Sequence, residues 1–138
     1  MSVKKKPYKL GLTFGVFDMF HIGHLKLLQN AKKMCDELIV CVSTDVYCKH
    51  RKGKKPMIPL RDRMQIIRAL KVVDKVDIQS ESFTKYDAIE EFMPNVLFVG
   101  DDWTPRTYEG LGNGIPVEFL PYTKNVSSTI LRKKLELE

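Results

Sequence analysis

The chain has 138 residues, 43% of them apolar, and its 23 Lys and Arg against 17 Asp and Glu give a net charge of +6. This composition excludes a disordered chain, and it predicts a single domain over residues 1–138 with one hydrophobic core. No apolar run approaches the roughly 20 residues of a membrane span. The apolar stretch near the N-terminus runs directly into Asp18 and His21, so it indicates a buried strand and not a secretion signal.

Three cysteines are present, Cys35, Cys41 and Cys48, and none of them forms a C-x-x-C pair. An odd number without pairing disfavours a disulfide framework and is typical of a reducing cytoplasm. The positive charge leaves two interpretations open, a nucleic-acid-binding surface or a site for small polyanions.

Strand-like and helix-like segments alternate along the chain. In chain order we predict a strand at Tyr8–Phe14, a helix at His21–Met34, a strand at Glu37–Ser43, a loop at Asp45–Ile58, a helix opened by Pro59 with Leu60, Met64, Ile67 and Leu70 on one face, a strand at Lys75–Ile78, a helix at Thr84–Met93, strands at Val96–Val99 and Val117–Leu120, and a helix at Thr129–Leu137. Repeated β-α-β units require right-handed crossovers and a mostly parallel sheet. The expected fold is therefore α/β, a single-domain Rossmann-like sandwich with a mostly parallel five-stranded sheet, whose ligands bind at the carboxyl ends of the strands.

The most informative segment joins the first strand to the first helix, from Gly15 to His24. His21 and His24 are three residues apart and share one helical face in the first turn. Free backbone N–H groups and the helix dipole favour an anion there, and Gly15 and Gly23 allow a phosphate close to the backbone. As a bare pair these histidines are also compatible with chance or with a zinc site completed by carboxylates. Their position at a strand-to-helix turn favours a phosphate site.

A basic run, Lys49–Lys55, follows the second strand at the same rim as the histidine turn. Such a run is usually a solvated face or a nucleic-acid patch. At this rim it is also able to close over a triphosphate.

These motifs together resemble the HxGH nucleotidyltransferases, and specifically the cytidylyltransferases. Gly15-x-Phe17-Asp18 precedes His21-x-Gly23-His24, and Gly100-Asp101-Asp102-Trp103 is similar to the pattern of glycerol-3-phosphate cytidylyltransferases. The resemblance spans residues 9–134. It implies CMP transfer from CTP, with Mg²⁺ bound along with the triphosphate, to a phosphorylated alcohol such as glycerol 3-phosphate, in a cytoplasmic homodimer that binds neither membrane nor nucleic acid.

The resemblance also implies roles for individual residues. His21, His24, Lys52 and Arg63 would be catalytic, and Lys52, Lys71 and Lys85 would bind the acceptor. Residues implied to bind the nucleotide are Gly15, Val16, Phe17, Asp18, His21, Gly23, His24, Lys54, Asp101, Tyr122, Thr123, Ser127, Ser128 and Thr129. No protein metal site is implied.

Three departures from the cytidylyltransferase pattern leave the substrates open. Lys71 and Tyr122 each stand where the pattern has arginine, and Asn125 stands where it has glycine. Moreover, Ser127-Ser128-Thr129-x-x-Arg132 resembles a motif of adenylyltransferases in the same superfamily. The alternatives are therefore an adenylyltransferase acting on a sugar phosphate or FMN, a phosphocholine or phosphoethanolamine cytidylyltransferase, a non-catalytic nucleotide sensor and, from another class, a nucleic-acid-binding module that uses the basic run.

Overall fold

The computed structural model describes residues 5–100, 114–121, 123 and 127–137. The strands are β1 (Tyr8–Gly15), β2 (Cys35–Ser43), β3 (Lys75–Gln79), β4 (Val96–Gly100) and β5 (Val117–Leu120), and the helices are α1 (Ile22–Met34), α2 (Asp45–Lys52), α3 (Leu60–Arg68), α4 (Lys85–Phe92) and α5 (Ser128–Leu137). The predicted site residues Asp101 and Tyr122, with Asp102, Trp103 and Asn125, lie outside the described residues. No helix within the described ranges is long and apolar enough to cross a membrane.

One five-stranded sheet organises the chain, in the order β3-β2-β1-β4-β5 with every neighbouring pair parallel. The predicted fold class is therefore confirmed. Strand order reverses at β1, because the chain first builds outward through β2 and β3 and then returns to place β4 on the other side of β1. A crevice at the carboxyl ends of the strands is expected at such a reversal.

Two apolar clusters cover the two faces of the sheet. Val40 and Val42 of β2 pack with Leu28 of α1 and Ile67 of α3, all of them buried. Ile39 and Cys41, the alternate residues of β2, pack with Ala88 of α4 on the other face. Because β2 is buried on both faces, its sequence reads as an unbroken apolar run rather than an alternating one.

The prediction of a loop over residues 45–58 is wrong for its first half. Residues 45–52 form α2, which follows closely after β2 ends at Ser43. The helix begins because the Thr44 hydroxyl accepts the N–H of Tyr47, and it ends at Gly53, whose backbone is left-handed. The basic run therefore begins on a helix and continues beyond Gly53 as an irregular segment.

Candidate active site

His21 and His24 form a stacked pair at the start of α1. Their ring centroids are 3.8 Å apart. His21 is the N-cap, and its Nδ1 accepts the N–H of Gly23 at 3.0 Å. His24 returns the contact, since its Nδ1 accepts the N–H of His21 at 3.3 Å. The two imidazoles thus form a capping box, in which the Nδ1 atom of each ring accepts a backbone hydrogen bond.

This capping arrangement fixes the protonation of both rings. An imidazole whose Nδ1 accepts a hydrogen bond carries its proton on Nε2 when neutral. Burial, and then the neighbouring His21, lower the pKa of His24 to about 4, while Asp18 opposes the shift. Burial also lowers the pKa of His21. Near neutral pH both residues are therefore neutral and present Nε2–H donors.

The turn before α1 holds an unusual backbone. Phe17 and Met19 have φ of 54° and 48°, the left-handed region that non-glycine residues rarely adopt. Gly15 is needed for steric reasons, because a Cβ there would lie 2.7 Å from the Phe17 ring. At Gly23 an added Cβ would lie 2.9 Å from the His21 ring. Gly23 therefore makes room for an imidazole, a more direct reason than the phosphate approach expected from the sequence.

Asp18 ties three parts of the chain together beneath this turn. It is 4% exposed, and its carboxylate accepts the N–H groups of Met57 at 2.8 Å and Ile58 at 2.9 Å. Arg132 of α5 donates to the same carboxylate at 2.8 Å. The Ser128 hydroxyl donates to the backbone oxygen of Asp18. The start of α5 is thereby held against the histidine turn.

A cavity of about 470 Å³ opens at the carboxyl ends of β1, β2 and β3. His24, Asp18, Ser128 and Thr129 line one end of it. Six basic side chains and one carboxylate line it among the described residues; the basic ones are Arg51, Lys52, Lys54, Lys55, Lys85 and Arg132. Since the carboxylate, Asp18, is engaged by three donors, the cavity presents an excess of positive charge to a ligand. A larger cleft of about 690 Å³ is lined by residues such as Lys5, Gln29 and Lys33 and by none of the predicted site residues that the structure describes.

The other end of the cavity, which we call the β2–β3 end, is lined by Phe14, Ser43, Tyr47, Gln79 and Lys85. Gln79 is 3% exposed, and its Oε1 lies 3.2 Å from the Ser43 hydroxyl. Its Nε2 donates to the Tyr47 hydroxyl at 3.3 Å. The Lys85 ammonium lies 5.7 Å from the centroid of the Phe14 ring.

Arg63 is placed behind the cavity wall. It is 1% exposed. Its guanidinium donates to the backbone oxygens of Ile58, Val16 and Ser43 at 2.7–2.8 Å and to the carboxylate of Asp45 at 2.6 Å. Val16 and Ser43 line the cavity, whereas Arg63 does not. The structure thus shows Arg63 holding backbone that lines the cavity.

The other residues predicted from the sequence divide into two groups. The cavity brings together Gly15, Val16, Phe17, Asp18, His24, Lys52, Lys54, Lys85, Ser128 and Thr129. His21 does not line the cavity itself but stacks on the ring of His24, which does. Thr123 lies near Gly23, and Ser127 caps α5 by accepting the N–H of Ile130. Lys71 is exposed before the amino end of β3, so the structure does not bring it to the cavity.

Ser43, Tyr47 and Gln79 line the cavity although the sequence did not predict them as site residues. Ser43 and Gln79 are the last residues of β2 and β3. Because the carboxyl ends of parallel strands meet at one edge, the strand ends themselves were the signal that could have found them. Tyr47 escaped prediction because α2 was predicted as a loop, whereas on the helix it lies one turn before Arg51 of the basic run.

No cluster of three or more His, Cys, Asp or Glu side chains suited to a metal occurs among the residues the structure describes. Mg²⁺ prefers phosphate and water oxygens with one or two carboxylates. The donor set of the cavity therefore fits a magnesium ion that arrives on a triphosphate better than one held by the protein.

The fold and the cavity together define an α/β protein with a cationic cavity suited to phosphate groups at the carboxyl ends of its strands. A family model described as cytidylyltransferase-like matches residues 12–134, and the chain belongs to that family. The resemblance of the motifs to the cytidylyltransferase family is thereby confirmed.

Particular relatives refine this classification. The Bifunctional protein HldE of Salmonella arizonae and that of Salmonella newport are each 37% identical to the chain over 142 residues. The match covers 99% of this chain and 30% of each relative, so the chain spans less than a third of their length.

Two solved structures are also similar. The lipopolysaccharide core biosynthesis protein from Thermoplasma volcanium GSS1 has a TM-score of 0.72 and 29% identity, over 86% of this chain and 99% of that one. The pantoate-beta-alanine ligase from Francisella tularensis, complexed with beta-gamma ATP and beta-alanine, has a TM-score of 0.61 and 16% identity, over 97% of this chain and 71% of that one. At this identity the second likeness is one of fold alone.

Proposed function

We propose that the chain transfers CMP from CTP to a small phosphorylated alcohol, with glycerol 3-phosphate as the leading acceptor and CDP-glycerol and pyrophosphate as products. The observation that carries the proposal is the cavity that joins His24 to the N-terminus of α5 among six basic side chains. Both reactants of such a transfer are phosphate anions. Their mutual repulsion is the main obstacle to reaction, and a cationic cavity reduces it.

The proposed chemical step is a displacement at phosphorus. An acceptor phosphate oxygen attacks the α-phosphorus of the triphosphate, and a new P–O bond forms as the bond to the β-phosphate oxygen breaks. Pyrophosphate leaves with that electron pair. Because the attacking phosphate is already ionised near neutral pH, the step needs no strong general base, and catalysis is mainly positioning and charge neutralisation.

Neutral imidazoles suit this role. The Nε2–H groups of His24 and His21 would donate to phosphate oxygens as negative charge develops on them. The N-terminus of α5 would add a second set of donors through Ser128 and Thr129. A covalent thiolate route is disfavoured, because burial raises the pKa of Cys48, a cavity-lining thiol.

Lys52 and Lys54 would neutralise the β- and γ-phosphates from the opposite side of the cavity. Both are exposed and lie on either side of Gly53, whose left-handed backbone ends α2. Magnesium carried on the triphosphate would supply further charge neutralisation.

A second candidate function is the transfer of AMP from ATP to a sugar phosphate. Two observations favour it. Arg132, the arginine of the adenylyltransferase-like motif Ser127-Ser128-Thr129-x-x-Arg132, lines the cavity. One similar structure is a lipopolysaccharide core biosynthesis protein, and lipopolysaccharide cores are built from sugars.

Pyrophosphate release tests both candidates. The purified chain is assayed with Mg²⁺ and either CTP or ATP, with glycerol 3-phosphate, glucose 1-phosphate, FMN and phosphocholine as acceptors. The proposal expects acceptor-dependent release that is fastest with CTP and glycerol 3-phosphate. Faster release with ATP and the sugar phosphate would replace it with the second candidate, and binding of duplex DNA with steep salt dependence but no release would contradict both.

Two further proposals come from the resemblance and the composition. We propose that the chain acts as a homodimer. Light scattering on the protein as it elutes from a size-exclusion column would measure its molar mass and test this. We also propose a cytoplasmic location, which the three free buried cysteines support.

A further inference from the structure

The β2–β3 end of the cavity contains polar groups that the transfer step does not use. Gln79 is buried, and it bridges the hydroxyls of Ser43 and Tyr47 through its two amide atoms. Both contacts are long, at 3.2 Å and 3.3 Å. A buried amide normally makes all its hydrogen bonds at ordinary distances. Because the hydrogen bonds that link Ser43, Gln79 and Tyr47 are long and face a cavity, these side chains are suited to exchanging partners with a ligand.

Ser43, Gln79 and Tyr47 can form more hydrogen bonds than the described residues offer them. The amide of Gln79 has two N–H donors and two acceptor lone pairs, and Tyr47 has one O–H to donate. A ligand hydroxyl is both donor and acceptor, so it can bond to either residue without leaving a buried group unpaired.

Charge at the same end restricts the ligand further. Arg51 lies 5.7 Å from the centroid of the Tyr47 ring, and Lys85 lies 5.7 Å from that of Phe14. Each ring therefore already has a protein cation over one face, and the positive charge of Arg51 and Lys85 disfavours a ligand ammonium beside them. Burial, and repulsion from Arg51 and Lys52, lower the pKa of Lys85, as expected where several cations converge.

We propose that Gln79 and Tyr47 are specificity-determining residues that hydrogen-bond the hydroxyl groups of the acceptor, so that the acceptor is a hydroxylated phosphate monoester, such as a polyol or sugar phosphate. This inference rests on the proposed function, because it assigns the acceptor's position within the same cavity. It excludes choline and ethanolamine phosphates, whose ammonium groups would meet Arg51 and Lys85. A site that bonds a substrate hydroxyl discriminates strongly against an analogue that lacks it, because its own polar groups are then left unpaired.

The test compares paired acceptors of similar size that carry or lack hydroxyl groups. Glycerol 3-phosphate is paired with propyl phosphate, and glucose 1-phosphate with cyclohexyl phosphate, each with the better of CTP and ATP. The wild type is expected to prefer the hydroxylated member of at least one pair by about 100-fold or more in kcat/KM. Equal use of both members of each pair, or a preference for phosphocholine, would overturn the inference and leave nucleotidyl transfer standing.

Two variants locate the preference. Gln79→Leu is expected to lower kcat/KM for the hydroxylated acceptor by about 10- to 100-fold and to leave the deoxy acceptor unchanged, and Tyr47→Phe is expected to reduce the preference by about tenfold. If the role of Gln79 is merely structural, Gln79→Leu lowers kcat/KM equally for the hydroxylated and the deoxy acceptor. Gln65→Leu, the same change on the exposed face of α3, is the matched control and should leave the preference unchanged.

Calorimetric binding of the magnesium complexes of CTP and ATP separates the two proposals. Nucleotide binding with no turnover of any acceptor in the panel overturns the hydroxyl inference. Absence of both binding and turnover overturns the proposed function and the inference with it.

Discussion

Arg132 donates to the carboxylate of Asp18 at 2.8 Å across 114 residues of sequence. Ser128 reinforces this contact by donating to the backbone of the same aspartate. The last helix is therefore held on the first β-α turn, and the two helix N-termini that face the cavity are positioned by one buried carboxylate.

Replacement of Asp18 by Asn tests this crosslink. Asn offers one acceptor oxygen and an NH₂ group, so it cannot accept from Met57, Ile58 and Arg132 together, and it leaves a partly buried guanidinium without its counter-charge. We expect the free energy of unfolding, measured by urea titration, to fall by about 3 kcal/mol. The control Asp62→Asn removes an exposed ion pair with Arg61 and should change it by less than about 1 kcal/mol. A loss for Asp18→Asn as small as that of the control would contradict the crosslink.

The sequence predicted the fold well because its strongest signals are local. The unbroken apolar run of β2 and the helical spacing of Ile22, Leu25, Leu28 and Ala31 reflect burial, which periodicity reports directly. The histidine turn was also predictable, since the glycines and histidines that shape it are adjacent in the chain.

Residues that act across the chain were harder to predict. The guanidinium of Arg63 contacts the backbone of Val16, which follows β1, and of Ser43, which ends β2, and no periodicity reports which way an arginine on a helix points. Gln79 was missed for a similar reason, because its partners, Ser43 and Tyr47, are more than 30 residues away. Helix α2 was missed because its basic composition resembles that of a solvated loop, and only the Thr44 cap marks its start.

Two variants of His24 separate its two nitrogens. Asn places an amide oxygen near the Nδ1 position and keeps the capping acceptor, whereas Gln places an amide N–H near the Nε2 position. We expect His24→Asn to lower kcat by about 100- to 1000-fold with little change in melting temperature, and His24→Gln to keep more activity than His24→Asn. Steady-state pyrophosphate release measures both. Equal activity of His24→Asn and the wild type would contradict the donor role.

The depressed pKa of His24 makes stability depend on pH. The folded protein holds His24 neutral down to about pH 4, whereas the unfolded chain protonates it near the ordinary value of 6.5. The unfolded state therefore binds more protons between these values, and stability falls as pH decreases from about 6.5 to 4. We expect urea titrations at pH 7, 5.5 and 4.5 to show a smaller decline for His24→Asn than for the wild type. Identical declines would show that His24 does not contribute.

Arg63 has two possible roles, and they predict different measurements. If it positions backbone, Arg63→Lys lowers the free energy of unfolding by about 3 kcal/mol without any nucleotide, because one ammonium cannot replace contacts to Ile58, Val16, Ser43 and Asp45. If Arg63 instead binds a phosphate, Arg63→Lys lowers the affinity for nucleotide and leaves the free energy of unfolding unchanged. The structure predicts the first result, measured by urea titration of the nucleotide-free chain. Arg68→Lys, an exposed change on the same helix, should stay within about 0.5 kcal/mol of the wild type, and a matching small effect at Arg63 would restore the phosphate role.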